Sequence, residues 1–212
     1  MTQRRRFARV LVANRGEIAL RVIRACHELG MEAIQAYSEA DRDSLPVQQA
    51  DGSICIGAPP SSQSYLRGDV LVAAARTARA DAIHPGYGFL SESAAFAQAC
   101  AAADVVFIGP PADAIAMMGD KASARRVAAE AGVPITPGSP DLLRDVEHAR
   151  SVASTLRYPV LLKATAGGGG RGMRVVRDEK DLDSRFRDAT REAKAAFGDA
   201  GLYVEKFLER VR

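Results

Sequence analysis

Phe7-Ala-Arg-Val-Leu-Val-Ala13, broken by Asn14-Arg15-Gly16 and followed through residues 17–29 to Met31-Glu-Ala-Ile-Gln-Ala-Tyr37, decides the fold. The first run is apolar almost throughout, as a strand buried on both faces of a parallel sheet is. Residues 17–29 place Ile18, Val22, Ile23 and Cys26 at helical spacing, and Gly30 closes the helix. The third run reads as a second strand. Strand, helix and strand within about 30 residues make a βαβ unit.

The alternation continues outward. Ser53-Ile-Cys-Ile56 reads as a short strand, and residues 64–79 as a helix with Leu66, Val70, Leu71 and Ala74 periodic. Ala82-Ile83 ends in His84-Pro-Gly-Tyr-Gly-Phe-Leu90; a helix over 92–103 and the strand Val105-Val-Phe-Ile108 follow. This pattern predicts a Rossmann-like α/β domain over residues 1–115, an open parallel sheet with helices on both faces. Ligands of such sheets sit outside the carboxyl ends of the strands, where Asn14-Arg15-Gly16-Glu17 and residues 84–90 fall. The first of these has one glycine where a dinucleotide fingerprint needs three, so NAD binding is rejected. Residues 84–92 read either as a functional loop or as a tight turn pinning the sheet. His84 has no obvious carboxylate partner nearby in sequence, so a histidine–carboxylate catalytic pair is not supported.

Gly109-Pro110-Pro111 marks a boundary. Two short helices, over 113–118 and 123–131, surround Gly119-Asp120-Lys121, with Asp120 as a cap, and residues 116–134 form a helical junction. Residues 135–212 then read as a small α+β lid: helices near 146–156 and 181–197, with strands around a glycine-rich stretch and over 201–208. Tyr203-Val-Glu205-Lys206-Phe207-Leu208-Glu209 alternates apolar and charged residues as a half-exposed edge strand does. The acidic run from Asp178 to Asp183 reads as a polar helix start, suited to the helix dipole, and not as metal ligands.

Lys163-Ala-Thr-Ala-Gly167-Gly168-Gly169-Gly170-Arg171-Gly172-Met173 is the most chemically pointed stretch. Each glycine in a regular element costs roughly 0.5–1 kcal/mol relative to alanine, so four in a row imply a use that side chains would obstruct. One such use is close approach of backbone N–H groups to phosphate, with Lys163 and Arg171 supplying charge. A P-loop places its lysine after the glycines and a helix next. Here the lysine precedes them and a strand follows, so the stretch reads as a flap that closes over a triphosphate. A hairpin tip with no ligand is the other reading.

The chain has 212 residues, 47% hydrophobic and 26% charged, with net charge +3. That charge is too small to argue for nucleic acid, and Arg4-Arg5-Arg6 accounts for it. Cys26, Cys55 and Cys100 show no zinc spacing and no disulfide framework; Cys26 and Cys100 read as buried thiols. No apolar run is long enough for a membrane span, and no secretory signal is recognised at the N-terminus. A reducing cytoplasm is the expected location.

Taken together, these motifs resemble those of biotin carboxylase, the ATP-grasp portion of biotin-dependent carboxylases such as acetyl-CoA carboxylase. The carriers of the resemblance are Val12 to Arg21, Ala40-Asp-Arg-Asp43, Ala82 to Glu92, Phe107-Ile-Gly-Pro110, Met118-Gly-Asp-Lys121 and Lys163 to Met173. The resemblance implies ATP-dependent carboxylation of biotin on a carrier protein, with bicarbonate activated as carboxyphosphate. It implies that Lys121 and Lys163 contact ATP phosphates and that Gly167, Gly168, Gly169 and Gly170 belong to the closing loop. Met173 would pack on adenine, and Glu205, Lys206, Phe207 and Leu208 would form the adenine and ribose edge. His84, Tyr87, Gly88 and Glu92 would line the cleft near bicarbonate and biotin. Arg24 and Glu28 match positions at the family's homodimer interface. The implied partners are a biotin carboxyl carrier, a carboxyltransferase and a second copy, with no nucleic acid and no membrane; fatty acid biosynthesis is the implied setting when acetyl-CoA is the acceptor.

The family's chain continues for about as long again. Its remaining half holds the magnesium ligands and the groups acting on bicarbonate and biotin, so the expectation is an incomplete enzyme with no catalytic or metal residues of its own. Another ATP-grasp ligase, of the carbamoyl-phosphate synthetase or purine-pathway kind, and a non-catalytic ATP-binding remnant are the alternatives.

Overall fold

The computed structural model describes residues 7–164, 173–198 and 201–209, with the backbone alone for residues 121, 122, 196 and 197. The chain divides into two compact units, Met1–Gly119 and Asp120–Arg212.

In the first unit the elements follow in the order β1 (Arg9–Val12), α1 (Gly16–Glu28), β2 (Glu32–Ser38), α2 (Leu45–Gln49), β3 (Gly52–Gly57), α3 (Gly68–Thr77), β4 (Ala82–His84), α4 (Ala94–Ala102), β5 (Val106–Phe107) and α5 (Ala112–Gly119). The sheet order is β3-β2-β1-β4-β5, and every pairing is parallel. Successive side chains of a strand point to opposite faces. Leu11 and Ala13 therefore meet Leu71 and Ala74 of α3 and Phe96 and Cys100 of α4. Val10 and Val12 meet Ala19, Val22, Ile23 and Cys26 of α1 on the other face. Burying each such aliphatic side chain contributes about 1.5–3 kcal/mol, which is why the central strand is apolar on both faces. The order runs outward from β1 in both directions, so β1 and β4 flank the switch point where the loops diverge.

One helix starts later than its periodicity suggests. α3 begins at Gly68, and Leu66 is 44% exposed instead of lining the core. The preceding residues are held by turn bonds, Leu66 N–H to Ser61 O and Arg67 N–H to Ser64 O, and the spacing of Leu66 is coincidental. The five-residue helix α2, opened by Pro46, carried no recognisable period.

The second unit contains α6 (Lys121–Glu130), α7 (Val146–Leu156), β6 (Val160–Ala164), β7 (Met173–Val176), α8 (Leu182–Phe197) and β8 (Leu202–Lys206). Its sheet is antiparallel in the order β7-β6-β8. Asp120 caps α6 by accepting from Ser123 N–H at 2.7 Å, and Asp145 caps α7 through His148 N–H at 2.7 Å. One sheet face, with Val160, Leu162, Val176, Leu202 and Val204, packs on Ala149 and Ala153 of α7 and Leu182, Ala189 and Ala193 of α8. The register puts Leu161, Lys163, Met173, Val175, Tyr203 and Glu205 on the opposite face.

β8 lies at the edge of the ladder but is not half exposed, contrary to its alternation. Leu202, Tyr203, Val204 and Glu205 are all buried. The segment 137–143 covers the edge: Lys206 N–H donates to Pro137 O, Ser139 N–H to Val204 O and Leu143 N–H to Leu202 O. Alternation in the sequence could not reveal this cover, because the segment has no strand pattern of its own.

Candidate functional site

The outer face of the second unit's sheet brings three charged side chains together. Lys163, near the end of β6, places its Nζ 2.5 Å from Glu205 Oε2. Arg125, one turn into α6 from Lys121, donates from its guanidinium to Glu205 Oε1 at 2.6 Å and to Thr136 O at 2.7 Å. Each carboxylate oxygen thus has its own cation. The three side chains are 20%, 10% and 27% exposed for Arg125, Glu205 and Lys163. Tyr203 lies beside them, with Lys163 Nζ 5.9 Å from its ring centroid. Burial, reinforced by the Glu205 charge, pushes the Tyr203 hydroxyl up to about 12, so it stays a neutral phenol.

Met173 is the register partner of Lys163 on β7 and is 38% exposed, so a half-open thioether flanks the ammonium. Gly138 passes close behind. A Cβ there would stand 2.8 Å from Val204 O and 2.9 Å from the Arg125 guanidinium, so this position admits no side chain without displacing one of them.

Lys163, Met173 and Glu205 therefore share one surface. Lys206 does not join them: its Nζ turns to the other face and donates to Arg157 O at 2.7 Å. The N–H groups of Lys206 and Phe207 are spent on Pro137 O and Pro159 O. Leu208 follows with its side chain 48% exposed. Lys121 opens α6 immediately after its cap, and its side chain lies outside the described residues, as do Gly167, Gly168, Gly169 and Gly170. Arg125 was not singled out from the sequence, although its position four residues after Lys121 puts both on one helical face.

In the first unit the loops after β1 and β4 are tied by one buried amide. Asn14 Nδ2 donates to Pro85 O at 2.7 Å and to Tyr87 O at 2.8 Å, and its Oδ1 accepts from Arg15 N–H. Gln35 donates to Asn14 O from the neighbouring strand. Gly86 has φ +65°, and a Cβ there would stand 2.7 Å from Asn14 Nδ2, so glycine is required for the loops to close together. Tyr87 is 60% exposed, and its hydroxyl donates to Glu17. Asp41 accepts from Ser38 and Tyr65 and pairs with Arg15 at 3.0 Å.

His84 belongs to the opposite side of this arrangement. Its register partner Val12 lies on the α1 face, and His84 lines an apolar cavity of about 440 Å³ with Phe7, Ile18, Met31 and Ile108. Nδ1 accepts from Gly86 N–H at 3.0 Å, which assigns the proton of the neutral ring to Nε2. Burial lowers its pKa below the ordinary histidine range, which keeps it neutral at pH 7. Gly88 and Glu92 stay on the loop with Tyr87. Arg24 and Glu28 line an open groove of about 560 Å³ along α1 with Glu17 and Arg21.

Among the described residues no three of His, Cys, Asp or Glu gather to hold a metal. Glu205, the carboxylate nearest Lys163, already serves two cations. These side chains do not fit a magnesium ion, and no step is assigned through one.

A family profile described as biotin carboxylase, N-terminal domain, matches residues 6–115. The chain belongs to the biotin carboxylase family. A second profile, carbamoyl-phosphate synthase L chain, ATP binding domain, matches residues 120–212. The chain is 52% identical over 207 residues to a biotin carboxylase of Nostoc, covering 98% of this chain and 46% of that protein. It therefore spans about half the length of the curated relatives it matches. A crystal structure of Campylobacter jejuni biotin carboxylase with a β-γ-ATP ligand aligns with TM-score 0.90 and 51% identity, over 96% of this chain and 46% of that one. The biotin carboxylase domain dimer of Hydrogenobacter thermophilus 2-oxoglutarate carboxylase, with MgADP, ADP and bicarbonate, aligns with TM-score 0.86 and 48% identity, over 96% and 45%. No helix among the described residues is long and apolar enough to cross a membrane.

Proposed function

We propose that residues 1–212 form the nucleotide-gripping portion of a biotin carboxylase, which uses ATP and bicarbonate to carboxylate biotin on a carrier protein. The observation that supports this most is the shared face of Lys163, Met173 and Glu205, set beside the strand that leads into the four glycines. On this reading Lys163 and Lys121 bind phosphate oxygens as point charges, Gly167 to Gly170 close over them, and Met173 packs on adenine. The ring lies along residues 205–208, where Leu208 offers an N–H that β8 and its covering segment have not taken. Tyr87, Gly88 and Glu92 serve bicarbonate and biotin, and His84 supports their loop from behind. Residues 135–212 act as the lid. Magnesium would supply neutralisation of phosphate charge; its ligands are not assigned to this chain.

The carrier, the carboxyltransferase and a homodimer using Arg24 and Glu28 belong to the same proposal, as does a reducing, cytoplasmic setting suited to three free cysteines. Acetyl-CoA carboxylation, and with it fatty acid biosynthesis, is one acceptor choice among several that share this half. The match of residues 6–115 favours biotin carboxylase over another ATP-grasp ligase.

The test is ATP hydrolysis with magnesium, bicarbonate and free biotin. The protein at its natural length is expected to turn over in a bicarbonate- and biotin-dependent way, and residues 1–212 alone are expected not to. No such turnover at natural length would overturn the assignment. Turnover by residues 1–212 alone would overturn the division of labour.

A further inference from the structure

The role of Arg125 follows from how the charges are shared. Glu205 is buried, and a buried carboxylate must keep a cation. If Lys163 were its sole partner, pulling Lys163 toward an incoming phosphate would leave Glu205 uncompensated. Arg125 removes that obstacle. Among the described residues it is the better anchored of the two cations, bonded to Glu205 Oε1 and to Thr136 O, and the less exposed. Lys163 holds Glu205 through a single contact and is the more exposed. A guanidinium is suited to the fixed position, because its planar fork serves two acceptors in different directions and never loses its charge. Gly138, which has no room for a Cβ, keeps the space that the guanidinium and β8 share.

We infer that Arg125 is a positioning residue: it retains the Glu205 carboxylate so that Lys163 can exchange that carboxylate for the phosphates of a nucleotide. This rests on the proposed function, and it adds a residue and an order of events to it. Before binding, Glu205 is shared by two cations. After binding, Arg125 keeps Glu205, and Lys163 faces the phosphates.

The experiment is equilibrium titration of the natural-length protein with ATP and, in parallel, with adenosine, which has no phosphate. Arg125→Met is expected to weaken ATP by roughly tenfold, within the range of coupling between neighbouring charges. Adenosine should change far less. Adding Glu205→Gln to Arg125→Met should restore most of the ATP affinity, because a neutral amide no longer holds Lys163 back. Equal losses for ATP and adenosine, an unchanged ATP affinity, or no recovery in the double variant would each overturn the inference. Should Arg125→Met fail to fold, Arg125→Lys carries the test. It keeps the charge but not the second bond, and an ATP affinity equal to wild type would contradict the role. Failure of the wild-type protein to bind ATP would sink the functional reading itself, and is thereby distinguished from failure of this inference alone.

Discussion

At the ends of β1 and β4, the first unit ties its loops with neutral groups: the Asn14 amide holds Pro85 O and Tyr87 O, and Gln35 holds Asn14 O. On the outer face of the second unit, Arg125, Glu205 and Lys163 do the corresponding work with full charges. A neutral hydrogen bond contributes about 0.5–1.5 kcal/mol and has no mobile competitor of equal strength nearby. An ion pair is stronger, and it can be traded for another ion of the same sign. The first arrangement fixes a scaffold, and the second, on the function proposed above, keeps a cation ready for an anionic ligand. The neutral groups of the first unit are almost fully buried, whereas both cations of the second stay partly exposed.

The contrast breaks most directly through paired substitutions. Glu205→Ala leaves Arg125 and Lys163 facing each other with no anion between them. Losing one partner of a buried pair costs 3–5 kcal/mol, and the partial exposure of both cations puts the expected loss at about 3 kcal/mol. Asn14→Ala removes the donor for two carbonyls, and a loss of about 2 kcal/mol is expected from unsatisfied buried groups. Urea unfolding at low and high salt separates them. The Glu205 effect should shrink as salt screens the two bare cations, and the Asn14 effect should not move. Equal salt dependence would erase the distinction between the units.

Much of the first unit was legible because its signals are local. Residues 7–37 carry strand, helix and strand periods in one stretch, and the sheet follows from them. Strand alternation also puts Lys163 and Met173 on one face once their pairing is known. What was not legible depended on distance. Arg125 meets Glu205 across 80 residues, and Asn14 meets Tyr87 across 73. In the sequence Asn14 stands in an incomplete dinucleotide fingerprint, whereas its chemistry is that of a tie between loops. Glu205 looked solvent-facing because its strand alternates, and the cover supplied by residues 137–143 has no pattern to read.

A smaller effect sharpens the same comparison at the rim of the first unit, where charge does appear. Asp51 accepts from Ala33 N–H at 2.8 Å and contacts His27 Nε2 at 2.9 Å. Chiefly the backbone bond, then His27, holds its carboxyl below the ordinary range. A lowered folded value gives stability that is complete above the ordinary carboxylate pKa and lost as pH falls through the folded value. The side chain is 43% exposed, so after solvent screening about 0.5 kcal/mol is at stake. Comparing unfolding midpoints of wild type and Asp51→Asn from pH 6 to pH 2 should show the gap closing at the acid end. A gap independent of pH would remove the titration from the account.

The central claim is that Lys163 trades Glu205 for phosphate, and its most direct measurement is the ATP affinity of Lys163→Gln in the natural-length protein. A charge-assisted hydrogen bond contributes roughly 1.5–3 kcal/mol, which corresponds to about 10–150-fold in binding. The account predicts a loss in that range for ATP, with adenosine affinity close to wild type. Wild-type ATP affinity in Lys163→Gln would contradict it.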